Sequence, residues 1–329
     1  MRPLLLLLAL VVGCSTSLPP RSTLLPGDYV QDLAARDGWF HRSYRVHVPP
    51  QLGEDRPLAL VVVLHGEGGD AKRMERHSGF DAVADREGFL AVYPQGYSRW
   101  GLGADWNSGH CCGAAFEQRI DHRTALDQLL DDVAGRLPVD SSRIYLVGES
   151  SGAMLVYRYA ILRSERVAGA AAVNGALNSS PIDGAGDILA DPKVPVPIVI
   201  LHGSDDRWIP FEGGSGPLEP DRAWSSVGVA AAFWVERNHA RTRPQVESLF
   251  GGRVVRTRWP ATGGRSAPVS LYEIRQWGHA WPGPATTALP EGTEPLPDFD
   301  AAEIVWHQLS PHRRIPPATR PAGASGRKR

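Results

Sequence analysis

The 329-residue chain carries 35 basic against 36 acidic side chains, 42% apolar residues, 10 Trp and 3 Cys. A charge balance this close to neutral argues against a nucleic-acid binder, which needs a clear basic excess. Three Cys exclude a disulfide-framework fold and a four-Cys zinc module, and a chain this long buries a sizeable core without such staples, as two domains or one large α/β domain.

The N-terminus reads M-R-P-L-L-L-L-L-A-L-V-V-G-C. Arg2 precedes an apolar run from Leu4 to Val12, the pattern of a signal peptide over residues 1–13. The run is shorter than the ~20 residues that span a bilayer as a helix. The V-V-G-C segment resembles the lipobox of bacterial lipoproteins, which implies that Cys14 is lipidated and that residues 14–26, rich in Ser, Thr and Pro, form a tether. A plain secretory signal with an incidental cysteine is the alternative. No later stretch is long and apolar enough to cross a membrane, so the lipid is the one membrane link expected.

Beyond the tether, Ser43 to Val48 alternates like an edge strand. Leu58 to Leu64 is a continuous β-rich apolar run of the kind buried on both faces of a parallel sheet. A helix is expected over Ala71–Glu87, ending at Gly88, then a short buried strand over Phe89–Tyr93. Leu126, Leu129, Leu130 and Val133 mark a helical stripe within Ile120–Leu137. Strands follow at Ile144–Val147, Val167–Val173 and Ile198–Leu201, with helices at Gly152–Arg163 and Asp221–Arg237. Val254–Trp259 and Val269–Arg275 read as paired strands, and Phe299–Leu309 as a last amphipathic helix. Buried strands alternating with helices predict an α/β fold: one domain over residues 27–312, with a mostly parallel central sheet and helices on both faces. Residues 313–329 have almost no apolar bulk and read as a disordered basic tail. Setting aside Arg2 and the six basic residues of that tail leaves 28 basic against 36 acidic side chains, so the body is acidic and the tail basic.

The chemistry is concentrated at strand exits. R-I-Y-L-V runs straight into Gly148-Glu149-Ser150-Ser151-Gly152, a G-x-S-x-G elbow between strand and helix that would lift Ser150 above the sheet. The amide of Ser151, at the helix N-terminus, would face a developing oxyanion. A serine nucleophile needs a base and the base an orienting carboxylate, which in the α/β-hydrolase fold follow in the order acid, then His. Asp205 and Asp206 lie just past a strand end in H-G-S-D-D, and spacing does not choose between them. His279 lies on the loop after the last strand, in G-H-A-W-P-G. The L-H-G-E-G-G loop after the first buried strand offers a second oxyanion amide, from Glu67 or Gly68.

These segments, together with V-Y-P-Q-G and W-N-S-G-H-C-C-G, resemble the secreted esterase family of poly(3-hydroxybutyrate) depolymerases and feruloyl esterases, carbohydrate esterase family 1. The match runs over nearly all of residues 40–310. It implies an α/β-hydrolase fold and a serine esterase that forms an acyl-enzyme without cofactor or metal. Ser150 would be the nucleophile, His279 the base and Asp206, the fifth residue of the family's H-G-x-x-D pattern, the acid. The amides of Ser151 and Glu67 would form the oxyanion hole. The partners implied are an ester substrate, small or polymeric, and the membrane through the lipid alone, with no nucleic acid. An acyltransferase, a peptidase and a surface binding protein on a silent hydrolase fold are the alternatives. Glu149, beside the nucleophile, departs from the neutral residues usual there.

Cys111 and Cys112 are adjacent; a vicinal disulfide is favoured over two thiols or a metal site, since export makes oxidation plausible and adjacent cysteines lack metal-ligand spacing. Trp106, Trp208 and Trp281 flank the site in sequence and are candidates for an aromatic substrate wall. His65 and His202, each ending a strand, read as structural hydrogen bonders.

Overall fold

A computed structural model of the chain describes residues 17–33, 42–53, 56–101, 103–180, 190–284, 286, 289–291 and 293–315. The expected signal peptide, Cys14 and most of the basic tail lie outside them.

The middle of the sheet is parallel because its strands are apolar on both sides. Strands β1 (Gly27–Leu33), β2 (Arg42–Val48), β3 (Leu58–Leu64), β4 (Phe89–Pro94), β5 (Val139–Glu149), β6 (Gly169–Val173), β8 (Ile198–Gly203), β11 (Gln245–Leu249), β12 (Val254–Trp259) and β13 (Val269–Ile274) form one ten-stranded sheet. Its order is β1-β2-β4-β3-β5-β6-β8-β13-β12-β11. The run from β4 to β13 is parallel, and the pairs at either end are antiparallel. In β3 the side chains of Leu58, Leu60, Val62 and Leu64 join one apolar layer and Ala59, Val61 and Val63 the other. The first layer is closed by helices α4 (His122–Arg136), α5 (Ser151–Leu162) and α6 (Val227–Arg237). The second is closed by α1 (Ala71–Ser78), α2 (Phe80–Glu87) and α7 (Ala301–Leu309). This is the α/β architecture expected, with helices on both faces. A short helix, α3 (Gly113–Glu117), and a three-stranded sheet of β7 (Ser179–Ser180), β9 (Gly214–Gly216) and β10 (Glu219–Trp224) sit over the strand ends.

Local departures have local causes. The helix expected over residues 71–87 breaks at Gly79, whose φ of 79° caps α1 in the left-handed region that glycine favours. The helix expected from Asp221 starts at Val227, where the Ser226 hydroxyl accepts the Val229 amide at 3.2 Å; the residues before it belong to β10. On β2, His47 is hydrogen-bonded through Nδ1 to Asp28 of β1 (2.6 Å) and through Nε2 to Asp85 of α2 (2.8 Å). Donation from both nitrogens requires the imidazolium. Burial disfavours that charge, but Asp81, Asp28 and Asp85 outweigh it and hold the His47 pKa above its ordinary value.

The described part of the expected tether is packed against the domain. Residues 21–23 form a 3₁₀ turn, and Leu18 and Leu24 are buried in the core. Arg21 donates to the Ala134 and Leu137 carbonyls at 2.6 and 2.5 Å, capping the C-terminus of α4. Packing therefore begins about ten residues before the expected domain boundary, because Leu18 and Leu24 within the polar stretch reach the core. At the other end Arg313 reaches Asp140 (2.9 Å) and Arg314 the Glu165 carbonyl (3.1 Å), so the first tail residues are also held by the body. Among the described residues no helix is long and apolar enough to cross a membrane.

Candidate active site

The elbow between β5 and α5 is built by what its glycines lack. A Cβ on Gly148 would meet the Gly152 backbone at 2.5 Å, and one on Gly152 would meet the His65 carbonyl at 2.5 Å. Between them Ser150 adopts φ 54° and ψ −121°, a conformation that non-glycine residues rarely hold and that marks functional turns. Its Oγ lies 2.9 Å from His279 Nε2, and His279 Nδ1 lies 2.7 Å from Asp206 Oδ2. One relay thus joins residues from three separate strand exits.

Asp206 is fixed from both sides. Its Oδ1 accepts the amides of Trp208 and Ile209, each at 2.9 Å. Its Oδ2 also sits 3.3 Å from Nε2 of buried His202, which bonds the Ile209 carbonyl at 2.8 Å. Burial alone would push the Asp206 pKa up; the hydrogen bonds from His202 and His279, and their charge, win and hold it well below the usual carboxylate range. Burial likewise penalises a charged His279, yet the bond and charge of Asp206, joined by the charge of Glu149, hold its pKa above the ordinary value. Asp205 is exposed, and among the described residues its carboxylate accepts only from its neighbour, the Ser204 hydroxyl, at 2.6 Å. Of the two aspartates that spacing left open, it is Asp206 that lies within hydrogen-bond distance of His279.

The Asp206 and His279 loops are tied together through Asn174, which the sequence did not single out, and Trp277, which flanks His279 in sequence. Asn174, buried at the end of β6, accepts the Gly203 amide (3.0 Å) and donates to the Ala280 carbonyl (2.8 Å). The Trp277 indole donates to the same carbonyl at 2.9 Å, and a Cβ on Gly203 would meet the Trp277 carbonyl at 2.1 Å. A polar residue at a strand's carboxyl end was the one available signal for Asn174.

His65 shapes the loop after β3. Its Nε2 accepts the Gly96 amide (3.1 Å), so the proton is on Nδ1, which donates to the Gly66 carbonyl at 2.7 Å. Burial holds His65 below its ordinary pKa, consistent with a neutral ring. The Gly66 carbonyl also accepts from Gly69 at 3.1 Å, and the Gly68 amide is taken by the Ala104 carbonyl at 2.9 Å. In a trans peptide the Glu67 N–H points opposite to that pinned Gly66 carbonyl. No hydrogen bond from that amide occurs among the described residues. Gly66 itself approaches Ser150 so closely that a Cβ there would lie 3.3 Å from the serine Cβ.

Two chambers meet at Ser150 and His279. One is polar, lined by Glu67, Asp70, Arg73, His77 and Glu149. The other is more apolar, lined by Cys111, Cys112, Met154, Ile209, Trp208 and Trp224 together with Glu67 and Glu219. Cys111 and Cys112 are joined as a vicinal disulfide. Of the tryptophans expected to form a wall, only Trp208, at 45% exposure, lines either chamber. Trp106 is 2% exposed and donates to the His65 carbonyl at 2.8 Å, and Trp281 is 0% exposed against Phe80. Both are core residues, because proximity in sequence to a catalytic loop does not say which way a ring turns. Trp224, far from the motifs in sequence, supplies the second aromatic wall through β10.

The profile of the dienelactone hydrolase family matches residues 49–216. NocK of Nocardia uniformis subsp. tsuyamanensis, which is named as an esterase, is 31% identical over 262 residues, covering 74% of this chain and 71% of that protein. A poly(3-hydroxyalkanoate) depolymerase C of Paucimonas lemoignei is 31% identical over 134 residues, 39% of this chain and 30% of its own length. The structure of an acetyl xylan esterase from Aspergillus awamori superposes with a TM-score of 0.52 at 17% identity, over 76% of this chain and 94% of that one, a likeness of fold.

Proposed function

The chain belongs to the dienelactone hydrolase family and is a carboxylic ester hydrolase; on that premise we propose that it is an exported serine esterase working through an acyl-enzyme on Ser150. The observation that carries this reading is the relay from Asp206 through His279 to Ser150, at 2.7 and 2.9 Å.

His279 Nε2 takes the Ser150 proton as Oγ attacks the ester carbonyl, while Asp206 holds the imidazole in the tautomer that accepts there and balances the imidazolium. The carbonyl oxygen, now an oxyanion, receives the amides of Ser151 and Glu67, the latter aimed by the His65–Gly66 hydrogen bond. The imidazolium returns its proton to the departing alkoxide. Water then attacks the acyl-enzyme by the same relay in reverse, and regenerates Ser150.

A fluorophosphonate is expected to label the wild-type protein on Ser150 and not the Ser150→Ala variant, which should lose ester hydrolysis by at least about 10³-fold. Wild-type turnover in Ser150→Ala would sink the assignment. Because His279 must be neutral to act as base, activity should rise with pH through its raised pKa. Removing one of the charges that raise it, with Glu149→Gln, should move the acid limb of the kcat/KM profile to lower pH. An unmoved limb would show that Glu149 does not couple to the base.

For location, we propose residues 1–13 as the signal, Cys14 as the lipidated residue, residues 27–312 as the core of the hydrolase domain and the basic tail as an appendage to it. Cys14→Ser should release the protein from membranes into the soluble exported fraction; wild type already fully soluble after export would count against the anchor.

A further inference from the structure

The two chambers at Ser150 are chemically unlike, and that difference orients the substrate. After the alcohol leaves, water must occupy its place beside His279, so the alcohol side has to be wettable. The chamber with Asp70, Arg73, His77 and Glu149 meets that need. The other, about 380 Å³ and walled mainly by Met154, Ile209, Trp224 and the cysteine pair, is the more apolar of the two and meets it less well. Building on the assignment of Ser150 as nucleophile, we propose that this second chamber holds the acyl half of the ester, that the Cys111–Cys112 disulfide is its specificity-determining wall, and that it selects uncharged acyl groups larger than acetyl.

The disulfide is part of the chamber's packed lining. Both cysteines are 4% exposed and belong to one apolar cluster with Met154, Ala176, Ile209 and Trp224. Their backbone is anchored on each side. The Cys111 carbonyl accepts the Ser108 amide (2.6 Å) and hydroxyl (2.7 Å), and the Cys112 amide donates to the Trp106 carbonyl at 2.9 Å. The preceding His110 carbonyl accepts the Arg222 guanidinium and the Ser179 hydroxyl. A wall held this way presents a fixed apolar surface, whereas two separated thiols could rotate independently and reshape it. Acetyl is too short to depend on such a wall; longer acyl groups must lie against it.

Charge sets the second limit. Glu67 and Glu219 are part of the chamber's lining, which contains no Lys or Arg. The Arg222 guanidinium lies over the Trp224 ring and 3.6 Å from Glu219. Burial, Asp105 and Glu219 push the Glu67 pKa up against the opposing charge of Arg222, so a further negative charge is already unwelcome there. An acyl chain ending in a carboxylate would add a third negative charge beside Glu67 and Glu219, which are partly open to solvent.

The test compares 4-nitrophenyl acetate, pentanoate and the singly charged succinate monoester on the purified full-length protein at pH 8, before and after dithiothreitol. Reduction passes two electrons and two protons to the sulfurs, breaks S–S into two thiols and leaves dithiothreitol as its cyclic disulfide; thiol titration verifies it. The pentanoate-to-acetate ratio of kcat/KM is expected to fall at least fivefold on reduction, with acetate changed less than twofold. Cys112→Ala should reproduce that fall, and reduction of folded wild type serves if the variant does not fold. The succinate monoester should be cleaved at least tenfold more slowly than pentanoate, and Glu219→Gln should narrow that gap. A ratio unchanged after complete reduction, or succinate cleaved as fast as pentanoate, would overturn the proposal. Failure of every ester, with Ser150 unlabelled by fluorophosphonate, would instead overturn the nucleophile assignment beneath it.

Discussion

Asp206→Asn is expected to lower kcat for ester hydrolysis by about 10⁴-fold, while Asp205→Asn stays within twofold. The two residues are neighbours with unlike surroundings. Asp206 Oδ2 accepts from His279 Nδ1 at 2.7 Å, and its Oδ1 is held by two backbone amides. An asparagine amide at Oδ2 would present a donor to the imidazole, favour the other tautomer and leave Nε2 protonated where it must accept from Ser150. Asp205, exposed beside Ser204, touches nothing in the relay. Steady-state kinetics on the two variants decide the matter, and equal losses would mean that the acid has been misplaced. The same environment has a pH consequence. Because folding depresses the Asp206 pKa, its contribution to stability is present above the unfolded carboxylate pKa of about 4 and disappears as pH falls through the folded value.

Gly152→Ala should be among the most damaging single-methyl changes in the molecule. The added Cβ would meet the His65 carbonyl at 2.5 Å, the Leu64 carbonyl at 2.7 Å and the Leu64 Cβ at 2.9 Å. Two of these are main-chain atoms at the end of the central strand, which no side-chain rotation can move. Overpacking of this sort costs about 3 kcal/mol or more, and relief requires α5 to shift away from β3, carrying Ser150 out of reach of His279. A lowered thermal midpoint together with lost activity is the expected result. Gly135→Ala is the control: it lies on the exposed face of α4 with nothing within 4 Å of the new methyl, and should gain up to about 1 kcal/mol from helix propensity. If the two variants melt alike, the close packing of the elbow is not what demands glycine at residue 152.

How much of this could be read from residues alone depended on whether the signal was local. The parallel strands were legible because burial on both faces writes them as unbroken apolar runs, as in Leu58–Leu64. The outer strands Gly27–Leu33 and Gln245–Leu249 escaped because edge strands are half polar and resemble loops. Ser150 and His279 stood out because elbow and loop chemistry constrain their neighbours in sequence. Asn174 and Trp224 did not, since each acts through a contact made across the fold. The tryptophans show the limit most sharply: Trp106 and Trp281 flank site motifs yet serve the core, and only packing decides which way an indole faces.

The capping of α4 by Arg21, with Leu18 and Leu24 packed beneath, bears on how the enzyme would meet its substrate. From Cys14 to Leu18 there are four Cα steps, at most about 14 Å when fully extended. With acyl chains on Cys14, the catalytic body would rest at the bilayer surface on a short leash, its orientation limited by where that leash emerges. The membrane would then act as a steric sieve: esters that diffuse along or up to the surface reach Ser150, and thick polymer must approach from the side the lipid leaves open.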